Sequence, residues 1–141
     1  MPIRVIGKPI ENKFKDGEDL FFAGSRVSSL VQRFGTPSFV YSFARVRDNL
    51  ERLHAALAAA EIGGGYNVLY AMKANRFAPL LTSLEQSGLC GIDACSPREV
   101  ELALSCGFSP QQISFTAGSL SSHDVHALAR YEDLVVDCDS L

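Results

Sequence analysis

The chain has 141 residues, is 47% hydrophobic and 21% charged, and carries a formal net charge of −3. That is ordinary globular composition, with enough apolar material for a packed core. The acidic balance and the lack of a basic block argue against a nucleic-acid partner. No apolar run approaches the roughly 18 residues that span a membrane, and the opening MPIRVIGKPIENKFKDGEDL lacks the apolar centre of a secretory leader, so a cytoplasmic location is expected.

The first segment reads as strand and turn. Leu20 to Ala23 is a short strand between turn signals. RVSSLVQRFG is a short helix closed by Gly35, and Ser38 to Ser42 is a second strand candidate. Ala44 to Ala60 is a long helix, because Val46, Leu50, Leu53, Leu57 and Ala60 recur on one face while Arg45, Arg47, Asp48, Glu51 and Arg52 take the others. It stops at Gly63 to Gly65. These glycines precede a strand, so they read as a connecting loop; a phosphate cradle would need them before a helix.

Beyond the glycines one pattern repeats. Strand NVLYAMK leads to helix FAPLLTSLEQSG, CGIDAC to PREVELALSCG, QISFTAG to SHDVHALARY, and DLVVDC begins a fourth unit. Each unit is about 22 residues long, enough for a strand, a helix and two short loops. The strands read as apolar on both faces, as in a parallel sheet covered by helices. The chain is therefore α/β, and the repeat fits either an open doubly wound sheet or part of a closed (β/α)8 barrel, whose complete form takes about 250 residues.

In parallel α/β folds chemistry gathers at the carboxyl ends of strands. Lys73 closes an apolar run at such an end. Partly desolvated there, its amine would be a nucleophile for a carbonyl; the alternative is a stem on the sheet rim with a solvated ammonium. Asp93 sits at the matching place in the next strand, either as a partner for the Lys73 site or as a structural hydrogen-bonding group. SPRE, from Ser96 to Glu99, is a capping box with Pro97 at the first helical position, and SSHD, from Ser121 to Asp124, is a second cap of this kind. FTAGS, from Phe115 to Ser119, follows a strand and opens a helix. His123 and His126 share a helix face with no third ligand nearby, so no metal site is expected. His54 reads as core-edge packing. Cys90, Cys95, Cys106 and Cys138 lack zinc spacing and read as small, mostly buried thiols.

Four stretches carry a resemblance. YAMKAN (Tyr70 to Asn75) resembles the YAVKAN motif of fold-type III decarboxylases that use pyridoxal 5′-phosphate, and GIDACSPREV resembles their GFDVASxxEL element. FGTPSFVYSFARVRDNLERL resembles the opening of diaminopimelate decarboxylases, and GFSPQQISFTAG resembles their GVPPERIVFTG. Order and spacing agree from about Gly17 to Leu141, most strongly with diaminopimelate decarboxylase among the ornithine, diaminopimelate and arginine decarboxylases. The resemblance implies an alanine-racemase-like (β/α)8 TIM barrel over residues 37–141, truncated, with residues 1–36 contributing to a β-rich second domain. It implies that Lys73 forms the internal aldimine, and that Ala71, Asp93 and Ser96 join Lys73 around the cofactor. The implied reaction is meso-diaminopimelate to L-lysine and CO2. The alternatives are an ornithine-, arginine- or carboxynorspermidine-type decarboxylase, or a non-catalytic homologue. A small amino-acid substrate and a homodimer of the full-length protein are the implied partners. Departures from the family pattern fall at Met72, Arg76, Phe77 and Leu120. The family's histidine over the ring, phosphate loop, acid at the pyridine nitrogen and catalytic cysteine lie further along than Leu141. The isolated chain, about the first third of such an enzyme, is expected to be inactive.

Overall fold

The structure, a computed structural model, describes residues 20–60, 65–116 and 118–138. The chain divides into two compact units, one ending at Asn49 and the other beginning at Leu50. Gly63 and Gly64 lie outside the described residues, as does Ala117 of FTAGS.

In the first unit, Phe21–Phe22 (β1) and Ser25–Arg26 (β2) pair antiparallel, with Phe21 opposite Arg26. Ala23 and Gly24 between them take φ of 50° and 81°. Two positive φ values in succession give the twist of a tight hairpin turn, and glycine adopts its share without steric cost. Helix α1 (Val27–Phe34) comes next and is closed by Gly35, as the sequence predicts; the Gly35 N–H donates to the Val31 carbonyl. Ser38 to Ser42 does not form the expected strand. A strand needs a ladder for its N–H and C=O groups, and neither sheet among the described residues includes this segment; Phe39 is left 90% exposed. Helix α2 (Phe43–Ala59) lies within a residue of its expected span at each end.

The second unit holds a parallel sheet of β3 (Leu69–Ala71), β4 (Gly91–Ala94), β5 (Ile113–Thr116) and β6 (Val135–Asp137), hydrogen-bonded in sequence order. Helices α3 (Ala78–Ser87), α4 (Pro97–Ser105) and α5 (Ser122–Leu128) alternate with the strands. Parallel crossovers are right-handed, so strands added in simple succession place every crossover helix on one side of the sheet. A doubly wound sheet would need a reversal of strand order, and these four strands have none.

The two sheet faces differ accordingly. Tyr70, Ile92 and Ile113 fall on one face, and so do Ala94, Phe115 and Val136, because each set is in register across the strands. Ile92 and Ala94 are fully buried there, Ile113 and Phe115 nearly so, and Leu81, Leu84, Val100 and Ala103 of α3 and α4 complete the core. The other face carries Leu69, Ala71, Gly91, Asp93, Ser114, Thr116, Val135 and Asp137, much of it open to solvent. The expectation of strands apolar on both faces is therefore corrected: one face is a helix-covered core, and the other mixes Asp93, Ser114, Thr116 and Asp137 with Leu69, Ala71 and Val135.

Gly91 shows how tightly the strands approach. A Cβ added there would lie 2.2 Å from the Gln112 backbone carbonyl oxygen. Backbone cannot swing aside as a side-chain tip can, so Gly91→Ala is expected to destabilise by about 1–3 kcal/mol. The measurement is the urea midpoint at unchanged denaturant slope.

Candidate active site

The site begins where β3 stops. The strand ends at Ala71, and Met72–Ala74 form a 3-10 turn, so Lys73 is in the turn beyond the strand and not within it. Met72 is fully buried and anchors the turn, while Lys73 is exposed. Asn75 closes the turn and sets the path into α3. Its N–H donates to the Met72 carbonyl at 3.1 Å, and its Oδ1 accepts from the Phe77 N–H at 3.0 Å, the local bonding that suits asparagine to turns. The Tyr70 hydroxyl donates to the Asn75 carbonyl at 3.3 Å. The exposure of Lys73 among the described residues differs from the partial desolvation expected for it.

Asp93 is the neighbour of Ala71 in register, so their backbones are separated by one interstrand spacing of about 4.8 Å. Both lie on the open face. Asp93 Oδ1 is buried and has no hydrogen-bond partner. Such an atom is uncommon, because leaving an acceptor dry and unpaired costs free energy. The β4–α4 loop then brings Ser96 to the N-cap of α4, where its hydroxyl oxygen accepts from the Glu99 N–H at 3.3 Å.

Only half of the expected capping box forms at SPRE. The Glu99 carboxylate does not return to the Ser96 N–H. It accepts from the Cys95 N–H at 2.6 Å and from Arg76 Nε at 2.5 Å. Glu99 is 3% exposed, so its charge is held by these two donors inside the protein. The second cap forms as expected: Asp124 accepts from the Ser121 N–H and hydroxyl, and these bonds hold its carboxyl below the usual range.

Further along the open face, Ser114 and Thr116 each donate to Asp137 Oδ2 at 2.9 Å. Neither this cluster nor the Arg76–Glu99 pair emerged from the sequence. A signal for the cluster is present, since Ser114 and Thr116 alternate with Ile113 and Phe115 at strand period. Phe115 and Thr116 of FTAGS end β5, Gly118 and Ser119 follow it, and α5 starts only at Ser122.

The remaining candidates have structural settings. His54 Nε2 donates to the Leu89 carbonyl at 2.6 Å, which leaves Nδ1 to accept from the Tyr66 hydroxyl at 3.3 Å. Together with Gln111 and Gln112 they border a cavity of about 260 Å³ at the amino ends of β3 to β5, the opposite end of the sheet from Lys73. His126 Nδ1 bonds the Ser122 carbonyl. Among the described residues, no three His, Cys, Asp or Glu side chains are grouped to hold a metal ion, and no helix is long and apolar enough to cross a membrane. All four cysteines are free; Cys90 and Cys106 are buried, Cys95 is half-buried, and Cys138 is exposed, contrary to its expected burial with the others. Burial pushes the Cys90 thiol up, which keeps it protonated and unreactive at neutral pH.

A singly wound parallel sheet with a lysine and a carboxylate at adjacent strand ends defines an α/β chain with a candidate site at the carboxyl rim. Residues 44–141 match the family described as pyridoxal-dependent decarboxylase, pyridoxal binding domain, and the chain belongs to that family. It is 34% identical over 110 residues to diaminopimelate decarboxylase of Methanothermobacter thermautotrophicus, covering 78% of this chain and 25% of that protein. It is likewise 34% identical over 112 residues to the Pseudomonas aeruginosa diaminopimelate decarboxylase, covering 79% and 26%. A solved diaminopimelate decarboxylase from M. jannaschii, in complex with L-lysine, superposes with a TM-score of 0.78 at 27% identity, covering 91% of this chain and 30% of that one. The chain spans about a quarter of the length of these curated relatives.

Pyridoxal phosphate is the cofactor of this family, and the residues present fit it. Lys73 offers an exposed primary amine to an aldehyde. Ala71 is small and is the in-register neighbour of Asp93 on the open face. Asp93 Oδ1 is a buried acceptor in need of a donor.

Proposed function

We propose that the full-length protein is a pyridoxal-phosphate-dependent decarboxylase that converts meso-diaminopimelate to L-lysine and CO2 in the cytoplasm, with Lys73 attaching the cofactor. The observation that carries this reading is the pairing of an exposed lysine in the turn after β3 with the orphaned Asp93 oxygen one strand over. The relatives named diaminopimelate decarboxylase support the choice of substrate.

The simple strand succession and the uncovered face support a wider architecture, in which residues 37–141 are part of a (β/α)8 barrel and that face is its interior. Residues 1–36 would contribute to a β-rich second domain, and the full protein would form a homodimer.

When bound, the pyridoxal ring supplies the sink for the electron pair left by the departing carboxylate. The chain's own residues would hold and orient it. Lys73 would supply the primary amine that holds the aldehyde of the group. Asp93 offers its unpaired Oδ1 to a donor of the bound group, and Ala71 leaves room beside it. Ser96 holds the start of α4 in place through its cap, with its hydroxyl proton available to a bound acceptor.

The test is release of CO2 by the full-length protein loaded with pyridoxal phosphate, with meso-diaminopimelate, ornithine, arginine, lysine and carboxynorspermidine supplied separately. The expected result is the highest kcat/KM for meso-diaminopimelate. A higher value for another amine reassigns the substrate, and no CO2 from any of them makes the chain part of a non-catalytic homologue.

A further inference from the structure

The Lys73 turn is tied to its surroundings by an interaction that lies outside the YAMKAN stretch. Arg76 reaches from the β3–α3 loop to Glu99 in the first turn of α4. Glu99 in turn takes the Cys95 N–H from the β4–α4 loop. One buried carboxylate thus joins the loop that carries Lys73 to the loop that carries Ser96.

The pair is asymmetric. The Glu99 side chain is 3% exposed and the Arg76 side chain 58% exposed. A pair of this kind contributes little net stability, since desolvating the acid offsets much of the attraction. Removing the arginine is another matter, because it leaves a buried carboxylate with one backbone donor. What the pair supplies best is position. The Tyr70 hydroxyl, the Asn75 N–H and Oδ1 and the Phe77 N–H make short-range bonds around the turn, and the Arg76 guanidinium spans 23 residues of sequence to reach α4. Its planar fork fixes direction as well as distance, which a lysine ammonium does not.

We propose that Arg76 is a positioning residue for Lys73: through Glu99 and the Cys95 N–H it fixes the Lys73 turn against the β4–α4 loop, and so sets where the Lys73 amine stands relative to Asp93. This inference rests on Lys73 being the attachment point. A reacting group displaced by an ångström can lose about a hundredfold in rate, so the clasp acts on attachment even though Arg76 need not touch the cofactor.

The test uses the full-length protein, stripped of cofactor, and three variants: Arg76→Met, Arg76→Lys and the double variant Arg76→Met/Glu99→Gln. Two quantities are read well below the unfolding temperature. One is the rate at which added pyridoxal phosphate attaches to Lys73, followed by borohydride trapping and peptide mapping. The other, free of cofactor, is hydrogen exchange at the Asn75 and Phe77 amides. Arg76→Met is expected to slow attachment about ten- to a hundredfold and to speed exchange at both amides. Arg76→Lys is expected to recover part of the rate. The double variant removes the unpaired buried charge, so its unfolding temperature returns toward wild type while attachment remains slow. A wild-type attachment rate in Arg76→Met, or one restored together with stability in the double variant, overturns the proposal. Wild-type label on a residue other than Lys73 is a different result: it refutes the attachment assignment beneath the proposal.

Discussion

Lys73→Ala is expected to abolish attachment of pyridoxal phosphate and to lower decarboxylation on the order of 10⁴-fold or more, the scale on which removal of a covalent-catalysis residue acts. The fold should be spared. Lys73 is exposed, and substitutions at exposed sites without special contacts usually change stability by about 0.5 kcal/mol or less. Its turn is held by Met72, Asn75 and Tyr70, none of which depends on the lysine side chain. Lys73→Arg separates charge from chemistry. Arginine keeps the positive charge, but its guanidinium stays protonated and cannot act as an amine nucleophile, so this variant should be as inactive as alanine. The readouts are the visible absorbance of the attached cofactor, CO2 release, and the unfolding midpoint of each variant. Near-normal CO2 release from either variant would remove Lys73 from the chemistry.

Phe115→Ala is expected to cost about 3–5 kcal/mol, the largest single loss of stability among these substitutions. Phe115 is 1% exposed on β5, in register with Ala94 of β4 and Val136 of β6. Its ring fills the space between the sheet and the helices above it. Ala94 is too small to fill the gap, and Ile92 and Ile113 are held by their own burial. The lost burial is therefore joined by a cavity that the surroundings close only in part. Phe39→Ala provides the contrast. The same atoms are removed from a side chain that is 90% exposed, and the expected change is within about 0.5 kcal/mol. Urea denaturation of both variants measures the difference, and equal midpoints would contradict the assignment of the core.

How much of the fold was legible in the sequence depended on how local each cause is. Helix α2 could be read almost to the residue, because its apolar spacing is a property of one short window. The strand–helix rhythm after residue 65 was legible for the same reason, and by itself it placed Lys73 and Asp93 at the rim. The exact seat of Lys73 was not, because a strand and a 3-10 turn after it share one apolar run, Val68 to Met72. Ser38 to Ser42 has strand-like residues, but pairing requires a partner elsewhere in the chain, and sequence pattern carries no record of that.

The site divides in the same way. The Ser96 cap was legible because it is complete within four residues. Glu99 had the same local explanation, and that explanation hid its nonlocal one: the carboxylate turns away from the cap to Cys95 and Arg76. Asp137 does not stand out when the strands are read as apolar throughout, although the period-two alternation of β5 sets Ser114 and Thr116 apart from Ile113 and Phe115.

The chemistry proposed for this site depends above all on Lys73 as the point where the cofactor is held. Borohydride reduction of the full-length protein loaded with pyridoxal phosphate, followed by proteolysis and mass spectrometry, tests this directly. The expected result is a reduced pyridoxyl label on the peptide containing Tyr70 to Asn75, at Lys73. A label on any other lysine, with Lys73 unmodified, would contradict it.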